Sequence, residues 1–273
     1  MSSADINPEW QLVAIGRGSF ATVSILLGRP VAFKHVIVSE HAPQLKAEFK
    51  AICSVYNFCN TDSFFAISRP LAHYDPGISA SFVSQAGSPP STATGRSRVP
   101  RPMVSEADFK ALKLESAAYA MDHVLPIPLS TAQRIRDLFY PPGQEAAKVP
   151  SLCRLYFGKV IETTPIAGRP SRFFNSTNFP LDIPRYTQLQ EAYGGDLPSV
   201  GEIAQGMGEM LGRFHWRSGY DGRDVEFVIG GEGFSGIAMN VIDFNQVRPN
   251  SNHFSNSNSI TLPQDAPMVE DEG

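Results

Sequence analysis

The stretch that decides the reading is Trp10-Gln11-Leu12-Val13-Ala14-Ile15-Gly16-Arg17-Gly18-Ser19-Phe20-Ala21-Thr22-Val23-Ser24-Ile25-Leu26-Leu27-Gly28-Arg29-Pro30-Val31-Ala32-Phe33-Lys34-His35-Val36-Ile37-Val38. Three β-prone runs, at residues 10–15, 22–27 and 31–38, are separated by Gly16-Arg17-Gly18-Ser19 and by Gly28-Arg29-Pro30. Glycine frees the backbone at a turn and proline fixes φ, so the pattern predicts a three-stranded antiparallel meander. The period then changes. Leu45, Phe49, Ile52, Val55 and Tyr56 recur at helical spacing, which predicts an amphipathic helix over residues 42–58 packed on that sheet.

Beyond the helix, residues 75–102 are rich in Ser, Gly, Pro and Thr and include Ser88-Pro89-Pro90-Ser91 without any periodicity. A disordered insertion over 75–104 is expected, with folded chain resuming near Ser105. Residues 119–124 and 152–158 read as strands, and 130–140 as a helix. A better punctuated helix follows Pro198: Ser199-Val200-Gly201-Glu202 is a capping box in which hydroxyl and carboxylate satisfy the first free amides. Val200, Ile203, Ala204, Met207, Leu211 and Phe214 form one apolar stripe after it. Two short β-prone runs, 226–229 and 239–243, flank Gly230-Gly231-Glu232-Gly233 and predict a hairpin. From Pro249 the chain is rich in Asn and Ser and finally acidic, so 249–273 is expected to be a disordered tail. The expected units are thus 8–74 and 105–248, with 75–104 between them.

The 273 residues suffice for one domain or a two-lobed unit with a substantial core. Hydrophobic residues at 42% and charged ones at 18% exclude a wholly disordered chain. A net charge of −4 gives no global attraction to nucleic acid or to anionic membrane, and neither is an expected partner. No apolar run reaches the roughly 18 residues of a membrane span, and the first residues do not resemble a signal sequence, so an intracellular location is expected. Cys53, Cys59 and Cys153 match no zinc-ligand spacing, which disfavours zinc and favours free thiols.

The loop Ile15-Gly16-Arg17-Gly18-Ser19-Phe20-Ala21 lies between two predicted strands, where Gly16 and Gly18 let backbone amides approach a polyanion. A dinucleotide fold of the Rossmann kind is disfavoured because a strand follows the loop and Ala21 stands at the third glycine. Val31-Ala32-Phe33-Lys34 has the strand-borne Val-Ala-x-Lys pattern of the protein-kinase lysine that holds nucleotide phosphates. Glu48 on the next helix is its candidate partner. The plainer alternatives are a strand-edge charge for Lys34 and a local pairing of Glu48 with Lys46 or Lys50. Asp221-Gly222-Arg223-Asp224-Val225-Glu226 and Asp243-Phe244-Asn245 stand where a kinase carries its catalytic loop and its metal-binding Asp-Phe-Gly. In that frame Asp221 is the candidate base, and Glu226 and Asp243 are candidate Mg²⁺ ligands. Glu226 replaces Asn, Asn245 replaces Gly, and Gly219 replaces His, while a cap-forming loop is the plainer reading of Asp221 and Asp224.

Leu152-Cys153-Arg154-Leu155-Tyr156-Phe157-Gly158, Phe214-His215-Trp216, the Asp221-to-Gly230 block and Asp243-Phe244-Asn245 resemble a fungal family of unknown function whose members often carry a zinc finger label. Ala118-Tyr119-Ala120-Met121-Asp122-His123-Val124-Leu125-Pro126 also resembles that family and looks like a kinase hinge strand. The resemblance spans roughly 10–247 and implies no established reaction; Glu226 and Asn245 are then family traits. The expected fold is α+β and protein-kinase-like: an N-terminal antiparallel sheet with one helix, then a mainly helical, shortened C-terminal lobe. No Ala-Pro-Glu motif follows Asp243, so the apolar stripe on the 200–214 helix is expected to need a protein partner. Three functions follow as expectations: a pseudokinase-type binding or regulatory module, an active ATP- and Mg-dependent small-molecule phosphotransferase, or a truncated family member with little independent function.

Overall fold

The computed structural model describes residues 11–77, 82–84, 103–140, 149–161 and 177–250. Strands β1 (Leu12–Arg17), β2 (Ala21–Leu26) and β3 (Val31–Val36) form the antiparallel meander, with Leu12 opposite Leu26 and Val23 opposite Lys34. Gly16 and Arg17 belong to β1 and not to the turn, after a register shift between Ala14 and Gly16. A tight turn closes where the Gly18 N–H donates to the Ala21 carbonyl at 2.8 Å. A short 3₁₀ turn at Ser39–His41 then leads into α1 (Ala42–Cys59), which has proline in its first turn, where no amide is needed. Leu45, Phe49, Ile52 and Val55 are buried as the periodicity predicts, each worth about 1.5–3 kcal/mol of transfer free energy.

After α1, β4 (Ala66–Ile67) leaves for a second sheet, while β5 (Pro70–Tyr74), β6 (Val83–Ser84) and β7 (Ala118–Asp122) complete the first. Its order is β1-β2-β3-β7-β5-β6, and every pairing in it is antiparallel. The expected insertion is therefore interrupted: Val83 and Ser84 pair with His73 and Ala72, and Phe82 packs beside Phe109. Most of 75–104 lies outside the described residues. The sheet is covered on both faces. α1 covers one, and Phe109 from α2 (Glu106–Ala111) packs edge-on against Phe33 on the other, with centroids 5.4 Å apart. Helix α2 carries its own capping box, Ser105 with Asp108.

The second half is less helical than expected. Helices α3 (Leu129–Phe139), α4 (Ile183–Ala192) and α5 (Val200–Arg213) accompany a five-stranded mixed sheet in the order β4-β12-β11-β8-β9. Here β8 is Leu152–Leu155, β9 is Asn178–Leu181, β11 is Glu226–Gly231 and β12 is Ile237–Ile242. The sheet was missed because β4 has two residues and β9 contains Pro180, so neither shows a period; Pro180 is tolerated on an edge strand that needs no donor there. The hairpin is longer than expected, with Gly230 and Gly231 inside β11. Gly231 is there for a close approach: a Cβ would stand 2.2 Å from the Pro126 carbonyl oxygen. Its N–H donates to the Leu125 carbonyl at 2.8 Å and ties the segment after β7 to the second sheet.

The buried face of α5 is Ile203, Gly206, Met210 and Arg213, and Phe214 follows in a π-helical turn, Phe214–Ser218. The anticipated stripe is thus rotated: Ala204 and Leu211 are exposed, because Gly206 must face inward to admit the Phe64 ring. Strand β10 (Tyr220–Asp221) pairs with β13 (Arg248–Pro249), and the Asn250 N–H donates to the Gly219 carbonyl at 2.7 Å. The expected tail therefore begins with paired chain; 251–273 lie outside the described residues. One apolar core runs from Phe20, Leu45 and Tyr119 to Phe214, Val241 and Phe244, joining both sheets.

Candidate functional site

Side chains alternate across a strand, so Ala32, Lys34 and Val36 of β3 share the face that α1 covers. Lys34 is thereby aimed inward from a central strand that is buried on both faces. Glu48 lies one residue before Phe49 and three before Ala51 on the buried side of α1. The two meet: Lys34 Nζ donates to Glu48 Oε1 at 2.6 Å, with side chains only 9% and 2% exposed. Tyr119, opposite Lys34 in β7, donates its hydroxyl to the same oxygen at 3.1 Å. Burial pushes the Glu48 carboxyl up, and Lys34 pulls it back toward the ionised form. Glu48 Oε2 is buried with no hydrogen-bond partner among the described residues. The alternative pairing of Glu48 with Lys46 or Lys50 does not occur.

Asp243 completes a group of three drawn from distant sequence. It follows β12, and its carboxylate stands 3.8 Å from Lys34 Nζ. Its φ of 61° is left-handed, a conformation that costs a residue with a Cβ and that turns the side chain off the line of the strand. Phe244 behind it is buried against Phe214, with ring centroids 5.9 Å apart, which anchors the turn to the end of α5. Phe20 lies over Lys34 from the loop side, its centroid 5.2 Å from Nζ. Neither Gly16 nor Gly18 has a positive φ, and a Cβ at Gly18 would meet nothing closer than the Ala21 oxygen at 3.6 Å. These glycines are not required by the local backbone.

The remaining expected residues stand differently. The Asp221 carboxylate faces Arg223 at 3.6 Å and is more than half exposed. No hydrogen bond or ion pair among the described residues joins it to Lys34, Glu48 or Asp243. Gly222 beside it must be small, since a Cβ would stand 2.6 Å from the Phe214 ring. Glu226 is committed: Arg154 Nη1 donates to its Oε1, and Asn178 Nδ2 lies 3.4 Å from its Oε2. Arg154 and Asn178 were not singled out, because they come from the short β8 and β9 whose juxtaposition with β11 no local pattern encodes. Among the described residues no group of three or more His, Cys, Asp or Glu side chains is arranged to hold a metal ion. Asp243, which faces Lys34 and has a side chain 34% exposed against 16% for Glu226, is the more accessible of the two expected ligands. An open cavity of about 200 Å³ lies elsewhere, between Ile67, Asp122, His123, Leu125, Glu232 and Asn240, and contains none of the expected site residues.

No family model, no curated protein and no solved structure matches this chain.

Proposed function

We propose that this chain is a two-lobed, protein-kinase-like module with a nucleotide-type cleft, serving as a pseudokinase-type binding or regulatory unit. The carrying observation is the buried Lys34–Glu48 pair with Asp243 within 3.8 Å of the same ammonium. Three residues picked for phosphate and metal handling, from β3, α1 and the end of β12, converge on one point. A local turn or a solvated helix face does not require that convergence. Supporting the architecture are the antiparallel sheet with α1 on one face and the segment from Ala118 to Leu125 crossing to the second sheet.

ATP with Mg²⁺ would supply the polyphosphate and its countercharge. Lys34, held by Glu48 and Tyr119, would orient a phosphate oxygen; the loop carrying Gly16 and Gly18, whose Gly18 N–H is already given to Ala21, would shape that side of the cleft; Asp243 would take the cation. Binding without turnover is favoured because the expected base Asp221 makes no link to this cluster and Glu226 is held by Arg154. Exposed Leu211 of α5 and Trp216 of the π-helical turn that follows, 73% exposed, fit the protein partner of a regulatory module. Kinship with the fungal family of unknown function is part of this proposal.

Thermal unfolding with ATP, with and without Mg²⁺, tests the reading. An upward shift of the midpoint that Lys34→Met removes is expected; no nucleotide effect under either condition sinks it. The second reading, a small-molecule phosphotransferase, is favoured by the left-handed, partly open Asp243. Its mark is Mg·ATP-dependent phosphoryl transfer that Asp221→Ala abolishes.

A further inference from the structure

Glu226 opens β11, and its side chain shares a sheet face with a second set of charges. Arg154 of β8 is opposite Val228, two residues beyond Glu226, and Asn178 of β9 is opposite Leu152, two residues before Arg154. The two-residue period therefore puts Arg154, Asn178 and Glu226 on one face. Tyr156 joins them: the Arg154 guanidinium lies over its ring, 4.7 Å from the centroid. On the other side Glu226 is opposite Ile242, the residue before Asp243. The Glu226 side chain is only 16% exposed, is paired with Arg154, and has the Asn178 amide 3.4 Å from its Oε2. Two carboxylates thus belong to adjoining positions of a strand pair, and a guanidinium answers one of them.

We infer that Arg154 is a built-in cation that takes, at Glu226, the place a divalent ion would fill, leaving Asp243 as the open carboxylate of the pair. The inference deepens the proposed reading of the cleft and rests on it for the role of Asp243. The physical argument is one of replacement. The guanidinium donates to Glu226 through Nη1 and lies over the Tyr156 ring on its short strand, so it neutralises one carboxylate without a bound ion. It gives nothing to Asp243. Removing it leaves Glu226 as a largely buried charge without a cation, one strand position from Asp243, a state that a bound cation relieves. A divalent ion, with its preference for several carboxylate oxygens, is suited to neutralise both.

Titration of the full chain with Mn²⁺ alone, following the free-ion paramagnetic resonance signal without nucleotide, tests this. The wild type and Glu226→Gln are expected to bind Mn²⁺ with the same affinity within twofold. Arg154→Met is expected to bind at least tenfold more tightly, and Arg154→Met/Glu226→Gln to return to the wild-type value. A several-fold loss on Glu226→Gln in the native chain overturns the inference, because Glu226 would then already be a ligand. An unchanged affinity in folded Arg154→Met overturns it as well. If Arg154→Met does not fold, the Glu226→Gln comparison decides alone, unchanged affinity supporting the inference and a loss refuting it. Absence of any ATP response in the separate thermal experiment would remove the nucleotide cleft while leaving the Mn²⁺ result standing.

Discussion

Replacing Lys34 by methionine keeps the length of the side chain and deletes its charge. Glu48, 2% exposed and without solvent to replace the ammonium, then keeps only the Tyr119 hydroxyl at 3.1 Å. Breaking a buried pair by removing one partner costs about 3–5 kcal/mol, and the surviving Tyr119 bond argues for the lower end, about 3 kcal/mol. At roughly 2–4 °C per kcal/mol for a unit of this size, the melting midpoint falls by roughly 6–12 °C at pH 7.5. The loss depends on pH in a defined direction. Burial already holds the folded-state pKa of Glu48 above its ordinary value, so the native chain keeps a proton the unfolded chain releases, and stability falls as pH rises through that window. Lys34 limits the effect by favouring the carboxylate, and Lys34→Met extends the window upward. The deficit is therefore larger at pH 7.5 than near pH 5, where protonation begins to relieve the buried carboxyl. Urea unfolding of the wild type, Lys34→Met, and Lys34→Met/Glu48→Gln at pH 7.5 and near pH 5 measures this. The double variant should recover most of the loss at pH 7.5, since both partners are then uncharged. An equal deficit at both pH values, or a double variant as unstable as Lys34→Met, refutes the reasoning.

Gly18→Ala should leave the melting midpoint within about 1 °C, since the position lacks a positive φ and its Cβ has 3.6 Å of room, while weakening any ATP-induced shift; calorimetry with and without ATP separates the two. Asp243→Gly should raise stability by about 1 kcal/mol in chemical unfolding by relieving the left-handed φ of 61°, and should abolish the Mg²⁺-dependent part of the nucleotide response; a fall in stability speaks against strain at this turn. Arg213 of α5 donates to the carbonyls of Cys59, Thr61 and Asp62 at the end of α1. Arg213→Ala should cost about 3 kcal/mol and speed amide exchange over the last turn of α1 more than elsewhere; uniform exchange contradicts that cap.

Local chemistry alone determined the meander, α1 and α5, because their signals are repetitive: turn residues between β-prone runs, a 3.6-residue period, and the Ser199–Glu202 capping box formed as predicted. It also named Lys34, Glu48 and Asp243, although the spacing of 14 residues between the first two said nothing about which way Glu48 would turn. Tertiary structure decided that. The parity of β3 and the buried side of α1 face each other, and the cost of an unpaired charge there leaves Lys34 and Glu48 with each other in preference to Lys46 or Lys50. Tertiary structure also decided what Glu226 does. A carboxylate that suits a metal by its chemistry is claimed by Arg154 and Asn178, 72 and 48 residues away, because β8, readable as a strand, lies beside β11 and β9, which is not, lies beyond β8 in the same sheet. Periodicity in a sequence records which face of an element is buried. Which charges meet across that face depends on strand order and register, and those are fixed only when the sheets assemble.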